Sequence, residues 1–276
     1  MNTRTVSLSR RNAGLPTLEA LAPELRNVSS SLRALTAVLP LVTLAAFATA
    51  FAGQWYWLLP PIVLAHFVVL VAYLHDVAHG TAGLSAKATH WVLFVMGAIL
   101  LQSGHAFRYN HLYHHTHCLE DDDLEGAPAR MGFIEVLLAG PGYLPRLWLK
   151  AVRETSSPRE RRWMMIEMTS ASVVPCMAIA AFEWSAGPLI YCAFVYVGSW
   201  AYPLTTAYLP HYKPGEKMLE QARTLRGRLV PALFMNLTYH LEHHLYPQVP
   251  SLNLVRLADR LEPYYFGHGF KPGRVF

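Results

Sequence analysis

Charge is scarce in this sequence. Asp, Glu, Lys and Arg supply only 15% of the 276 residues, where a soluble domain carries about a quarter. With 53% apolar residues, too little polar surface remains to solvate a globular fold, and a membrane protein is expected. Cysteine is scarcer still. Cys118, Cys176 and Cys192 have no paired spacing, which excludes a disulfide framework and an iron–sulfur cluster. Acidic residues are outnumbered, giving a net charge of +5. Nucleic acid is nevertheless not the expected partner, because the long uncharged stretches leave no continuous basic surface; anionic lipid headgroups are the better counter-charge.

Those uncharged stretches set the organisation. No Asp, Glu, Lys or Arg occurs between Arg33 and Asp76, room for two membrane helices of about 20 residues each, with a turn near Gly53 and Gln54. A second pair is expected over residues 163–182 and 187–209, broken by the polar Glu183–Gly187 turn. No Lys or Arg lies in 34–86 or 168–212, so in a four-span arrangement all 23 basic residues fall on one side, which the positive-inside rule makes cytoplasmic. The apolar segment Thr89–Gly104 is short of a straight crossing and is expected to be re-entrant. Before the first span, Arg4, Arg10, Arg11, Arg26 and Arg33 precede no cleavage signal. Leu18, Leu21, Leu25, Val28 and Leu32 recur at helical spacing, as in a helix lying in the membrane interface, although Pro23 interrupts it. The fold class is therefore all-α: an integral membrane protein with four transmembrane helices in two hairpins and a cytoplasmic histidine-rich cap. It forms one membrane domain, in which 1–33 is the interfacial segment.

Histidine is abundant. Eight of the 14 fall into three clusters: His75 and His79; His111, His114 and His115; His240, His243 and His244. Spacings of three and four place imidazoles on one helix face, close enough to share a metal. One such cluster is weak evidence, since an isolated HxxxH is usually structural. Three that the topology brings to one rim are not. A catalytic zinc takes three protein ligands, so eight imidazoles imply two metals, and imidazole suits zinc, copper, iron or nickel. The HExxH pattern of zinc hydrolases is missing; the last cluster reads HLEHH. A metal transporter would place its ionisable ligands inside the spans, where only His66 is found. His66 is nine positions before His75, half a turn out of phase, and reads as a packing residue; His90 and His268 read as interfacial. Asp76 and Glu242, carboxylates inside the clusters, and His105 and His117, flanking the middle one, are candidates to hydrogen-bond a metal-binding histidine. The acidic run Glu120–Asp123 reads as a solvated loop.

In this order and between hydrophobic hairpins, HDxxH, HxxHH and HxEHH resemble the histidine boxes of the fatty-acid desaturase superfamily, over about Val71 to Leu252. The resemblance implies two non-haem irons held by the box histidines and one upstream ligand, for which His211 stands in the right place; Pro210 before it favours a break in the helix. It also implies O2-dependent attack on a C–H bond of a lipid or fatty-acyl substrate. The text around His75–Gly80, Leu209–His211 and His240–Pro250 is also similar to the carotenoid ketolase and hydroxylase branch. No cysteine cluster, cytochrome-b5-like HPGG segment or GxGxxG fingerprint is present, so the electrons must come from an external donor, a ferredoxin or cytochrome b5 with its reductase.

Overall fold

The computed structural model describes residues 14–215 and 217–276; Arg4, Arg10 and Arg11 lie outside them. The described chain is mostly helical, with almost no strand. Helices α2 (Ser30–Ala52) and α3 (Leu59–Ala78) form the first hairpin, and α7 (Pro158–Ala180) opens the second. All three are long and apolar enough to cross a membrane. Leu35, Val38, Leu41 and Val42 of α2 point outward, as side chains facing acyl chains do. Trp55, Tyr56 and Trp57 crown the first turn and Phe182 and Trp184 the second, all exposed; amphipathic rings at that level mark a membrane–water boundary.

The fourth expected span, 187–209, is not one continuous helix. Helix α8 (Gly187–Ser199) stops after 13 residues and the chain continues as a π-helical turn, Pro203–Tyr208. The cause lies in Pro203, which has no N–H to offer the carbonyl of Ser199 four positions earlier, so the α ladder must end there. Wider π turns often sit beside functional sites, and this one delivers the chain to His211.

Helices α4 (Ala86–Ile99) and α5 (Gly104–Thr116) are bent against each other by 106°, as a re-entrant segment or a broken span would be. At 1.5 Å per residue α4 reaches only about 21 Å. The reversal depends on two glycines. A Cβ on Gly104 would lie 2.2 Å from the Leu93 carbonyl oxygen, and one on Gly97 would lie 2.8 Å from that of Gln102. At the tip, the Ile99 carbonyl accepts from the Tyr191 hydroxyl at 2.9 Å. His66 Nε2 lies 2.9 Å from that hydroxyl and its Nδ1 2.7 Å from Thr43 Oγ1. His66 is thus a fully partnered packing residue tying α2, α3 and α8 to the tip.

The remaining elements build a cap. An amphipathic helix, α6 (Phe133–Glu154), precedes α7; the short helices α9 (Leu229–Leu233) and α10 (His240–Leu245) lead to α11 (Leu254–Gly267). Strands β1 (Leu225–Arg226) and β2 (Gly273–Arg274) pair in parallel and fasten the C-terminus. Among the described residues of the N-terminal segment, Leu15, Leu18, Ala22 and Leu25 pack into this cap. Its helix α1 (Leu18–Leu21) ends before Pro23. Leu18 and Leu25 are then buried against Leu241, Leu245, Leu254 and Leu257, so these two leucines serve a protein core.

Candidate metal centre

The end of α3, the second half of α5, the segment after the π turn and α10 bring nine histidines together. His75, His79, His111 and His243 form one group; His114, His211, His240 and His244 form a second. Within each, one nitrogen per ring lies within 4.8 Å of the others. His115 stands between them, its Nε2 2.8 Å from His243 Nε2 and its ring stacked on His244 with centroids 4.3 Å apart. His211, alone in sequence, is fully buried in the second group.

The hydrogen bonds behind the rings decide what the centre can hold. His111 Nδ1 lies 2.8 Å from Glu125 Oε1, His114 Nδ1 2.7 Å from Asp123 Oδ2, and His211 Nδ1 2.7 Å from the Gln221 carbonyl oxygen. A carbonyl only accepts, so His211 carries its proton on Nδ1 and turns a bare Nε2 lone pair inward. That lone pair lies 3.1 Å from His114 Nε2 and 2.9 Å from His240 Nε2. In the other group His75 Nε2 is 2.8 Å from His243 Nε2, and the buried Nε2 of His79 has no hydrogen-bond partner. Facing lone pairs at such distances repel unless a cation lies among them. The donor set therefore fits metal binding in both groups, with His111, His114 and His211 each fixed by a partner on Nδ1.

Electrostatics agree. Burial, reinforced by His114, pushes the His211 imidazole down to about 3, and burial with neighbouring imidazoles holds His240, His243 and His244 well below the usual range. These rings stay neutral, the state in which they donate to a metal. Burial alone would raise Asp123, but its hydrogen bond from His114, that ring's charge and the N–H groups of Gly126 and Leu119 leave it lowered. Glu125 is pushed up to about 7, mainly by burial, with His114 opposing and Asp123 adding.

The family model for fatty acid desaturases matches residues 55–271. The chain belongs to that family. Membership makes it a membrane oxidoreductase of the desaturase and hydroxylase type. No curated protein matches the chain.

The structure places the supporting residues differently from the expectations. Asp76 does lie beside a box histidine, 3.4 Å from His75 Nδ1, but its main bonds are from Ser251 N–H and hydroxyl. Glu242 faces the opposite way, onto Arg226 at 3.0 Å, because it sits 200° round the helix from His240. His105 lies six positions before His111, off the box face, and bonds Glu167 and His90. His117 caps α5 and bonds Thr116 and Tyr113. Neither reaches a box histidine. Asp123, expected in a solvated loop, is buried on His114, and His90 is largely buried. Sequence reasoning missed Glu125 and the Gln221 carbonyl. Glu125 was open to discovery as a carboxylate within one turn and loop of the middle box; a backbone carbonyl leaves no sequence signal.

A narrow cavity of about 60 Å³ lies beside this centre. Phe67, Val71, Leu74 and Leu100 line its apolar part; Glu125, Tyr202, Ser103 and Gln102 give it a polar wall. Two of its residues touch His111: Glu125 by hydrogen bond and Phe107 by ring stacking at 5.3 Å.

Proposed function

We propose that this protein is an O2-dependent membrane oxidase in which His75, His79, His111, His114, His115, His211, His240, His243 and His244 hold two irons and direct oxidation to a C–H bond of a lipid or fatty-acyl chain. The observation that supports this most is the convergence of bare Nε2 atoms, their Nδ1 partners fixed by Glu125, Asp123 and the Gln221 carbonyl. Bound iron would supply O2 activation and the oxidising power to take hydrogen from an unactivated carbon. The protein's part is position: the apolar cavity seats an alkyl segment against the wall that Glu125 and Phe107 share with His111, and proximity selects the carbon. Two electrons per turnover come from an external ferredoxin or cytochrome b5 docking on the basic side, which charge placement makes cytoplasmic.

Lipid and pigment analysis of cells with and without the protein tests this reading, with His243→Ala as control. A new double bond or hydroxyl in extracted lipids, absent from the control, supports it. An oxidised carotenoid ring in place of an altered acyl chain would assign the chain to ring hydroxylation or ketolation. Unchanged lipids and pigments with iron-loaded protein would contradict it.

A further inference from the structure

One buried polar chain lies outside the histidine boxes. Ser103 Oγ donates to Glu167 Oε2 at 2.5 Å, Glu167 Oε1 is 2.6 Å from His105 Nδ1, and His105 Nε2 is 2.8 Å from His90 Nδ1. Four side chains from α4, the α4–α5 turn, α5 and α7 make one continuous line. Trp163 of α7 stacks on His105 with centroids 5.3 Å apart and planes 3° off parallel, sealing the line from lipid. His105 and Glu167 are 0% exposed, whereas His90 keeps 8%.

From the surface inward the donors point from His90 to His105 to Glu167, and Ser103 donates to Glu167 from the cavity side. Glu167 has no Lys or Arg partner among the described residues; its oxygens accept from Ser103, from the His105 N–H and from His105 Nδ1. With Nδ1–H of His105 given to Glu167, its Nε2 lone pair accepts from His90 Nδ1–H, and neutral His90 then presents a bare Nε2 at the surface. A clamp between helices needs one such bond; an ordered run of four groups open to the outside at one end is what moves a proton. At the other end Ser103 forms the wall of the cavity that Glu125 also lines. The charged groups near His90 are Arg159 and Glu160 of α7 and Arg108 of α5.

We propose that His90, His105, Glu167 and Ser103 form a proton relay from the protein surface to the oxidation cavity. The proposal rests on the oxidase reading, because either outcome of that chemistry, an alcohol with one water or an alkene with two, consumes one O2, two electrons and two protons. A proton binds His90 Nε2; the His90 Nδ1–H bond breaks as N–H forms on His105 Nε2. The His105 Nδ1–H bond breaks as O–H forms on Glu167. The Ser103 hydroxyl, which donates to Glu167 in the resting line, rotates its O–H into the cavity. The protonated carboxyl turns its O–H to Ser103 Oγ, and the Glu167 O–H bond breaks as Ser103 takes that proton and releases its own into the cavity. No electron moves, and each passage carries one proton.

The test uses full-length, iron-loaded protein in lipid nanodiscs, with iron content measured first. A chain without iron would end the oxidase reading and the relay with it. With iron present, Glu167→Gln and His90→Ala are expected to retain the metal and slow turnover about 100-fold, the scale of a lost proton-transfer group. Added imidazole should restore His90→Ala, and Ser103→Thr, which keeps both hydroxyl and helix cap, should outperform Ser103→Ala. Infrared spectroscopy supplies a readout independent of turnover: a carboxyl band that shifts in D2O, is lost in Glu167→Gln and exchanges more slowly in His90→Ala. Iron-replete variants that turn over at the parental rate, or a band whose exchange ignores His90, would overturn the relay while leaving the oxidase reading standing.

Discussion

The Nε2 atoms of His75 and His243 lie 2.8 Å apart, although 168 positions separate the two residues in the chain. If both rings act as metal donors, neither has a proton between those atoms, and a cation among them removes the repulsion of their lone pairs. The same logic applies to His211, whose Nδ1 is already committed to a carbonyl.

His211→Ala is expected to lower bound iron by about one ion of two and abolish turnover, because imidazole ligands at a closed site are not replaced by water without loss of affinity. His66→Ala removes two hydrogen bonds far from the boxes and should cost about 1–3 kcal/mol of stability while leaving iron content intact. Metal analysis of both purified variants checks the contrast. Full iron occupancy in His211→Ala would remove it from the ligand set.

Asp123→Asn and Glu125→Gln test the groups behind the rings. Each keeps its size but gives up the charge facing an imidazole N–H, which should weaken metal affinity about 10- to 100-fold. Chelator competition followed by metal analysis measures it; unchanged retention would show that the carboxylates do not support the site.

Arg226 spans Glu242, the Ala258 carbonyl and Glu262 and so joins α10, which carries three box histidines, to α11. Arg226→Met leaves the fully buried Glu242 without its counter-charge, at a cost of about 3–5 kcal/mol. A lower unfolding midpoint accompanied by faster iron loss is expected; a lower midpoint with normal iron retention would limit the pair to folding.

The three boxes, the hairpin 34–75 and the place of His211 were legible in sequence because each depends on local spacing and on runs of one chemical type. What was not legible depends on contacts across the fold. His105 and His117 are neighbours of the middle box in sequence, yet helix phase turns the first away and helix termination diverts the second, while Asp123 and Glu125 come back through a loop to the face those two miss. The break at Ser199 was readable from Pro203, whose missing N–H outweighs the uncharged run on either side. The N-terminal leucines recur at helical spacing, but Pro23 splits them between α1, a 3-10 turn and α2, so Leu18 and Leu25 enter the cap core while Leu32 stays exposed.

Stripped of metal, the protein should lose stability as pH falls. His211, at about 3, and His240, His243 and His244, well below 6.5, bind protons in the unfolded chain near 6.5 but resist them when folded. Their contribution is present above 6.5 and is lost progressively below it, by up to about 1.4 kcal/mol per pH unit for each group. Thermal unfolding of chelated protein between about pH 7 and pH 5 checks the sign; a midpoint that rises on acidification would contradict it.

The central claim is that nine converging histidines hold two irons. Metal analysis of full-length protein, purified from iron-supplemented cells and normalised to chain by amino-acid analysis, measures it directly. The account predicts about two irons per chain, the number the two histidine groups can accommodate; one zinc per chain and no iron would contradict it.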